Sequence, residues 1–378
     1  MDLDQVIQRQ TEKLSIEHPH MKEMRESLVV LKKALDTEAA LKPIGRLLAQ
    51  SDIKRMIRNN FEIHQYSSEH AEVKSQRIEK PVFIIGMPRT GSSFLHNLMA
   101  CDDRWRAPMY WETLYPCPPT AAGSPSPSRV RAANRDFAFF HVMAPDYRKI
   151  YMYGARRAAE CIAIMAMQFE SPRFSFTYRI PSYWNWTLDH GLQNGYQFES
   201  LFLKMLQSKS QGLRWLLKAP AHMIYLDSLL SVFPDARLIF THRHPARVIP
   251  SIASNTWTLR KVFSNANSKE EVGQEELKRW LTGWSNSKNL RNSPMLPADR
   301  FTDVLYDDLM SDPMYSIGNI YKSLGMDLTP AIEQKMAVFM ERNKTNKHGK
   351  HEYTAEEYGL DNDRISDLFS DYTNEFGL

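Results

Sequence analysis

"PVFIIGMPRTGSSFLHNLMA", residues 81–100, decides how the rest of this 378-residue chain is read. Its opening, PVFIIG (81–86), is a short apolar run rich in β-branched residues, bounded by Pro81 and Gly86, and predicts a buried strand. Its close, SSFLHNLMA, has helical character. Between them lies GMPRTGSS, Gly86–Ser93. The two glycines have the spacing of the G-x-x-x-x-G-K-[ST] phosphate loop, but Ser92 stands where the lysine belongs. The basic residue sits inside the loop instead, at Arg89. Strand, glycine loop and helix together predict an anion site. Backbone N–H groups around Thr90, Gly91, Ser92 and Ser93 would hold the anion with the help of the helix dipole. Arg89 adds a fixed charge and the two serine hydroxyls can donate. The bland alternative is an ordinary β–α turn.

Working outward, LRWLLK (213–218), ARLIFTH (236–242) and RFTDVLY (300–306) have the same strand character, each followed by a turn and helix. Alternating strands and helices predict an α/β fold: three layers around a central parallel sheet, resembling a P-loop architecture. Residues 1–79 read as a helical N-terminal extension, with Met21, Met24, Leu28, Leu31 and Leu35 recurring on one helical stripe. Residues 80–378 then form the main domain. A long insertion, 105–212, interrupts it. The insertion starts with the Pro/Ser/Gly-rich YPCPPTAAGSPSPS (115–128) and ends in the aromatic FSFTYRIPSYWNW (174–186). An insertion of that length beside a phosphate loop is where such a fold builds an acceptor pocket or lid.

Composition narrows the function classes. A formal charge of +4 makes no case for nucleic-acid binding, though it leaves room for a local basic pocket. The three cysteines form no C-x-x-C pair, which argues against a disulfide framework and for a reducing compartment. The longest apolar stretch, CIAIMAMQF (161–169), is far too short to span a bilayer, and the first residues lack a signal-like run. A cytoplasmic protein with no membrane partner is the expectation.

Three further segments could carry chemistry. In THRHPARVIPS (241–251), Arg243 follows a strand end, where open α/β sheets bind ligands, and Ser251 lies two turns along the next helix. The H-x-H pair His242 and His244 has no further ligand spacing, so no metal site is expected. In KAPAH (218–222), Lys218 could stabilise charge on a leaving group and His222 could act as general base. In APMYWETLYP (107–116), Glu112 sits among apolar residues and is either a structural hydrogen-bond partner or the base that deprotonates an acceptor.

In order and spacing, these segments resemble the sulfotransferases that use 3′-phosphoadenosine 5′-phosphosulfate (PAPS), closest to the bacterial-type branch with a G-x-P-R-[ST]-G-[ST]-[ST] loop. The resemblance covers about 80–360. It implies that PRTGSSF is the 5′-phosphosulfate loop, with Arg89 in the place of a lysine. Phe94 holds the position of an adenine-stacking tryptophan. RHPARVIPS resembles the 3′-phosphate segment, with Arg243 and Ser251 as its readers, and LYDDLMSDP places Tyr306 near adenine. NKHGKHEYTAEEYGL (346–360) resembles the segment that closes over the 3′-phosphate, with Lys347, Gly349 and Lys350 as contacts. The implied reaction is in-line transfer of a sulfonate to the hydroxyl of a small-molecule acceptor, with no metal required. The base is His222, slightly ahead of Glu112. The RKG triplet and small dimerisation motif of other members are absent, so the C-terminal contacts and the oligomeric state stay open. A kinase with a degenerate loop and a non-catalytic nucleotide-binding module are the alternatives. Tyr110, Trp111, Tyr183, Trp184 and Trp186 could line the acceptor pocket or simply pack.

Overall fold

The computed structural model describes residues 21–146, 154–210, 212–294, 296–343 and 353–378. Five strands form one sheet in the order β2-β3-β1-β4-β5. They are β1 (Val82–Gly86), β2 (Trp105–Arg106), β3 (Arg214–Lys218), β4 (Arg237–His242) and β5 (Phe301–Leu305), and every pairing is parallel. The four strands expected from the sequence lie where their apolar runs put them. β2 was not foreseen, because two residues are too few to show a periodicity.

All five residues of β1 are buried, which is why its sequence is continuously apolar rather than alternating. Alternate side chains serve different layers. Val82 and Ile84 join Leu216, Ile239, Leu95 and Ile317 on one face. Phe83 and Ile85 join Leu217 and Phe240 in the larger core on the other. That larger core also takes Met24, Leu28, Leu31 and Leu35, so the N-terminal helices are continuous with the body of the molecule. The helix Pro43–Glu69 approaches the helix Pro245–Phe263 so closely that a Cβ on Gly45 would lie 2.1 Å from the Phe263 carbonyl oxygen.

The register aligns the strand ends that matter. Ile84 pairs with Lys218, Gly86 with Thr241, and His242 with Leu305. The carboxyl ends of β1, β3, β4 and β5 therefore share one edge, and β1 lies between strands reached by crossovers in opposite directions. Ligands of open α/β sheets bind at such a switch point.

Candidate active site

The loop after β1 is shaped by close approach. Gly86 has φ +124°, and a Cβ there would fall 2.4 Å from the Thr241 carbonyl oxygen of β4. Arg89, not a glycine, takes φ +68°, a left-handed conformation rarely held without compensating contacts. The contacts are present: its Nε donates to Ser251 Oγ at 3.2 Å, and its carbonyl accepts from Arg243 Nη1 at 3.1 Å. The buried Thr90 hydroxyl donates to the Met87 carbonyl at 2.7 Å and lies 2.6 Å from Thr241 Oγ1. That hydroxyl braces the loop, leaving the backbone N–H as the group Thr90 can offer a ligand. Gly91 (φ +81°) caps the helix Ser92–Met99, whose first-turn N–H groups have no intrahelical acceptors.

Arg243 and Tyr306 complete this end. The guanidinium lies 4.0 Å from the Tyr306 ring centre, a cation–π contact. Tyr306 also borders the loop, since a Cβ on Gly91 would meet its Cδ2 at 3.3 Å. The fold thus brings Arg89, Arg243, Ser251 and Tyr306 together from three separated segments. Phe94 packs toward Phe339, with ring centres 6.5 Å apart. Lys347, Gly349 and Lys350 lie outside the described residues.

At the other end stands Lys218, 2% exposed. Its Nζ donates to Ser93 Oγ at 3.0 Å and forms an ion pair with Glu160. Glu160 precedes the short helix Cys161–Met165, and it lines a cavity of about 410 Å³ together with Pro88 of the loop. No local pattern marks Glu160, because its partner lies 58 residues further along the chain.

His222 and Glu112, the two bases expected from the sequence, both lie outside that cavity's lining. His222 is buried, bonded through Nδ1 to the Tyr196 hydroxyl at 2.7 Å. Burial, reinforced by the nearby Lys218 charge, brings its pKa down to about 3, so it stays neutral and sealed from solvent. Glu112 is also buried. Arg106 holds both its oxygens, and the Met109 N–H donates to Oε2 at 2.8 Å. These bonds fasten β2 to the helix Tyr110–Leu114 and make Glu112 a latch. His242 and His244 are engaged separately: His242 bridges Tyr372 and Asp303 at 3.0 Å each, and His244 caps the helix Pro245–Phe263.

Of the aromatic residues considered for the pocket, only Tyr110 lines the cavity. Trp111 packs under Arg129 (4.9 Å), Tyr183 donates to the Phe169 carbonyl (2.8 Å), Trp184 meets Arg279 (4.6 Å) and Trp186 stacks on His190 (4.7 Å). The aromatic wall comes instead from Phe137, Phe174, Phe176, Tyr178 and Phe263.

Behind Lys218, Glu199 is fully buried beside the Cys161 thiol, and burial raises its pKa to about 8. Between its ordinary value of 4.5 and about 8, the folded protein keeps a proton that the unfolded chain has lost. Its contribution to stability is thus fully present below pH 4.5 and is lost as pH rises toward 8. Glu199→Gln cannot ionise and escapes this loss, on the order of 5 kcal/mol. The Tm of the variant relative to the parent is expected to rise by several degrees between about pH 5 and about pH 8.5. A Tm difference independent of pH would show that Glu199 is not held protonated.

Among the described residues, no helix is long and apolar enough to cross a membrane. The model of the sulfotransferase family matches residues 81–330, which is 250 of the 378 residues. The chain is 23% identical over 316 residues to the omega-hydroxy-beta-dihydromenaquinone-9 sulfotransferase Stf3 of Mycobacterium bovis, covering 78% of this chain and 75% of that protein. Its fold is similar to that of sulfotransferase STF9 from Mycobacterium avium, with a TM-score of 0.84, 24% identity and 98% of this chain and 96% of the other covered. It is equally similar to sulfotransferase STF1 from Mycobacterium tuberculosis, with a TM-score of 0.85, 23% identity and 98% and 99% covered.

Proposed function

The chain belongs to the sulfotransferase family, and from that premise we propose that it transfers a sulfonate from PAPS to the hydroxyl of a small-molecule acceptor, with Glu160 as the general base. The carrying observation is the chain of contacts from Ser93 through Lys218 to Glu160, which links the phosphate loop to the cavity.

The residues fit a nucleotide with anionic groups at two positions. The loop N–H groups, Arg89 and Ser93 suit the 5′-phosphosulfate, and Arg243 with Ser251 suits a 3′-phosphate. Tyr306 lies beside Arg243, consistent with a nearby base. PAPS supplies an activated sulfonate and a phosphate leaving group. Lys218, buried and therefore weakly screened, stands where charge on that phosphate would be neutralised. Glu160 is the carboxylate on the cavity wall that is joined to the loop through Lys218. It would accept the acceptor's hydroxyl proton as the new S–O bond forms and the S–O bond to the phosphate breaks. With the donor in place, the Lys218 ammonium has a second anion to attract it, which loosens its hold on Glu160. Protein cations surround the transferred group, so turnover is expected to survive EDTA.

Adenosine 3′,5′-bisphosphate (PAP) is expected to stabilise the folded protein by about 2.7 kcal/mol at a hundred times its Kd, read as a rise in Tm. ATP at the same concentration is expected to give a far smaller shift. An equal shift with ATP, or none with PAP, would overturn the donor assignment.

A further inference from the structure

We infer that the acceptor is a neutral, lipophilic alcohol or phenol, whose hydroxyl sits at Glu160 and whose apolar body lies along the aromatic wall of the cavity. This rests on the sulfotransferase reading and adds the class of substrate. At about 410 Å³, the cavity falls within the roughly 300–1,000 Å³ of clefts that take drug-sized molecules. Most of its wall comes from three parts of the chain: Met56 from the N-terminal helices, Ile162, Phe174 and Tyr178 from the insertion, and Ile252 and Leu259 from the helix Pro245–Phe263, with Pro88, Pro220 and Ala221 added from the strand ends.

The charges on these walls are spent on one another. Asp52 binds Arg173 at 2.6 Å and also binds Arg55, which approaches Asp136 at 3.6 Å. Burial alone would raise the Asp52 pKa, but the two guanidiniums outweigh it and hold the carboxyl below its ordinary value. Glu160 is balanced by Lys218. A charged acceptor would lose its hydration without gaining an uncompensated counter-charge.

Four of the wall's neutral polar groups are bonded within the protein. Asn59 Nδ2 donates to the Leu114 carbonyl (3.0 Å), Thr177 to the Arg173 carbonyl (2.9 Å), Thr113 to the Tyr110 carbonyl (2.9 Å) and Thr256 to Glu276 (3.0 Å). A polyhydroxylated acceptor such as a sugar would find few partners. Asn255 differs from these four: its buried carbonyl oxygen has no hydrogen-bond partner among the described residues. Asn255 lies one helical turn after Ser251, which bonds Arg89, so this unsatisfied acceptor lies toward the donor end of the cavity.

The test uses 4-alkylphenols from butyl to heptyl. Binding is measured by calorimetry in the presence of PAP, and kcat/KM with PAPS. Both are expected to improve by roughly fourfold per methylene until the cavity fills. A phenol of equal length ending in a carboxylate is expected to be at least about tenfold poorer, since a charge must be desolvated. Ile162→Asp is expected to reduce the gain per methylene to below about twofold. Phe139→Asp, at a wall residue that is half exposed and so tolerant of change, is expected to move it in the same direction. A flat series, or a preference for the carboxylate, with the PAP-induced Tm shift intact would overturn the acceptor class and leave the donor reading standing. Loss of the PAP shift in the parent protein would overturn both.

Discussion

Glu160→Gln is expected to lower kcat by about a hundred- to ten-thousandfold, the usual contribution of general-base catalysis, while PAP binding stays within a few-fold of the parent. The substitution keeps the shape and removes the proton acceptor. It also leaves Lys218 without its carboxylate partner, although Ser93 Oγ remains 3.0 Å away. PAP binding is therefore the control. If Glu160 served only to hold Lys218 in place, donor affinity would fall together with turnover. If turnover stays within a few-fold of the parent, Glu160 is not the base. The parallel variants His222→Gln and Glu112→Gln separate the alternatives. His222 is neutral and sealed, and Glu112 is occupied by Arg106. Each is expected to affect stability more than the proton-transfer step.

Arg243→Ala is expected to weaken PAP binding by roughly ten- to 150-fold, the worth of a charge-assisted hydrogen bond. Adenosine 5′-phosphate, which lacks the 3′-phosphate, is expected to bind parent and variant almost equally. Comparing the two ligands isolates the 3′-phosphate, because Arg243 also bonds the Arg89 carbonyl and stacks on Tyr306. A mutation that merely relaxed the loop would weaken both ligands alike. Equal losses for both would show that Arg243 braces Arg89 and does not read the 3′-phosphate.

Much of this site was legible because its parts lie at the ends of predictable strands. GMPRTGSS announces itself by glycine spacing: Gly86 is required by a close approach that a Cβ would obstruct, and Gly91 by its left-handed φ of +81°. Arg243 and Lys218 could be placed because apolar runs end at them and parallel strands end on one edge. His222 and Glu112 were read differently from the sequence because residue type and neighbourhood do not reveal which way a side chain turns. His222 lies in a short turn whose backbone directs it into the core beside Phe83 and Tyr196. Glu112 had an arginine six residues away, too ordinary a spacing to mark an ion pair in advance.

The sequence by itself determined the α/β architecture, the glycine loop after β1 and the order of the segments around it. Those features depend on local periodicity and on the conformations that glycine and proline permit, and both are written in consecutive residues. The tertiary structure decided which carboxylate meets Lys218, which aromatics form a wall, and that the N-terminal helices help to enclose the cavity. These depend on contacts between segments far apart in the chain, such as Asp52 with Arg173 and Glu160 with Lys218. Burial and charge pairing at such contacts are properties of the packed chain, set by which surfaces exclude water together.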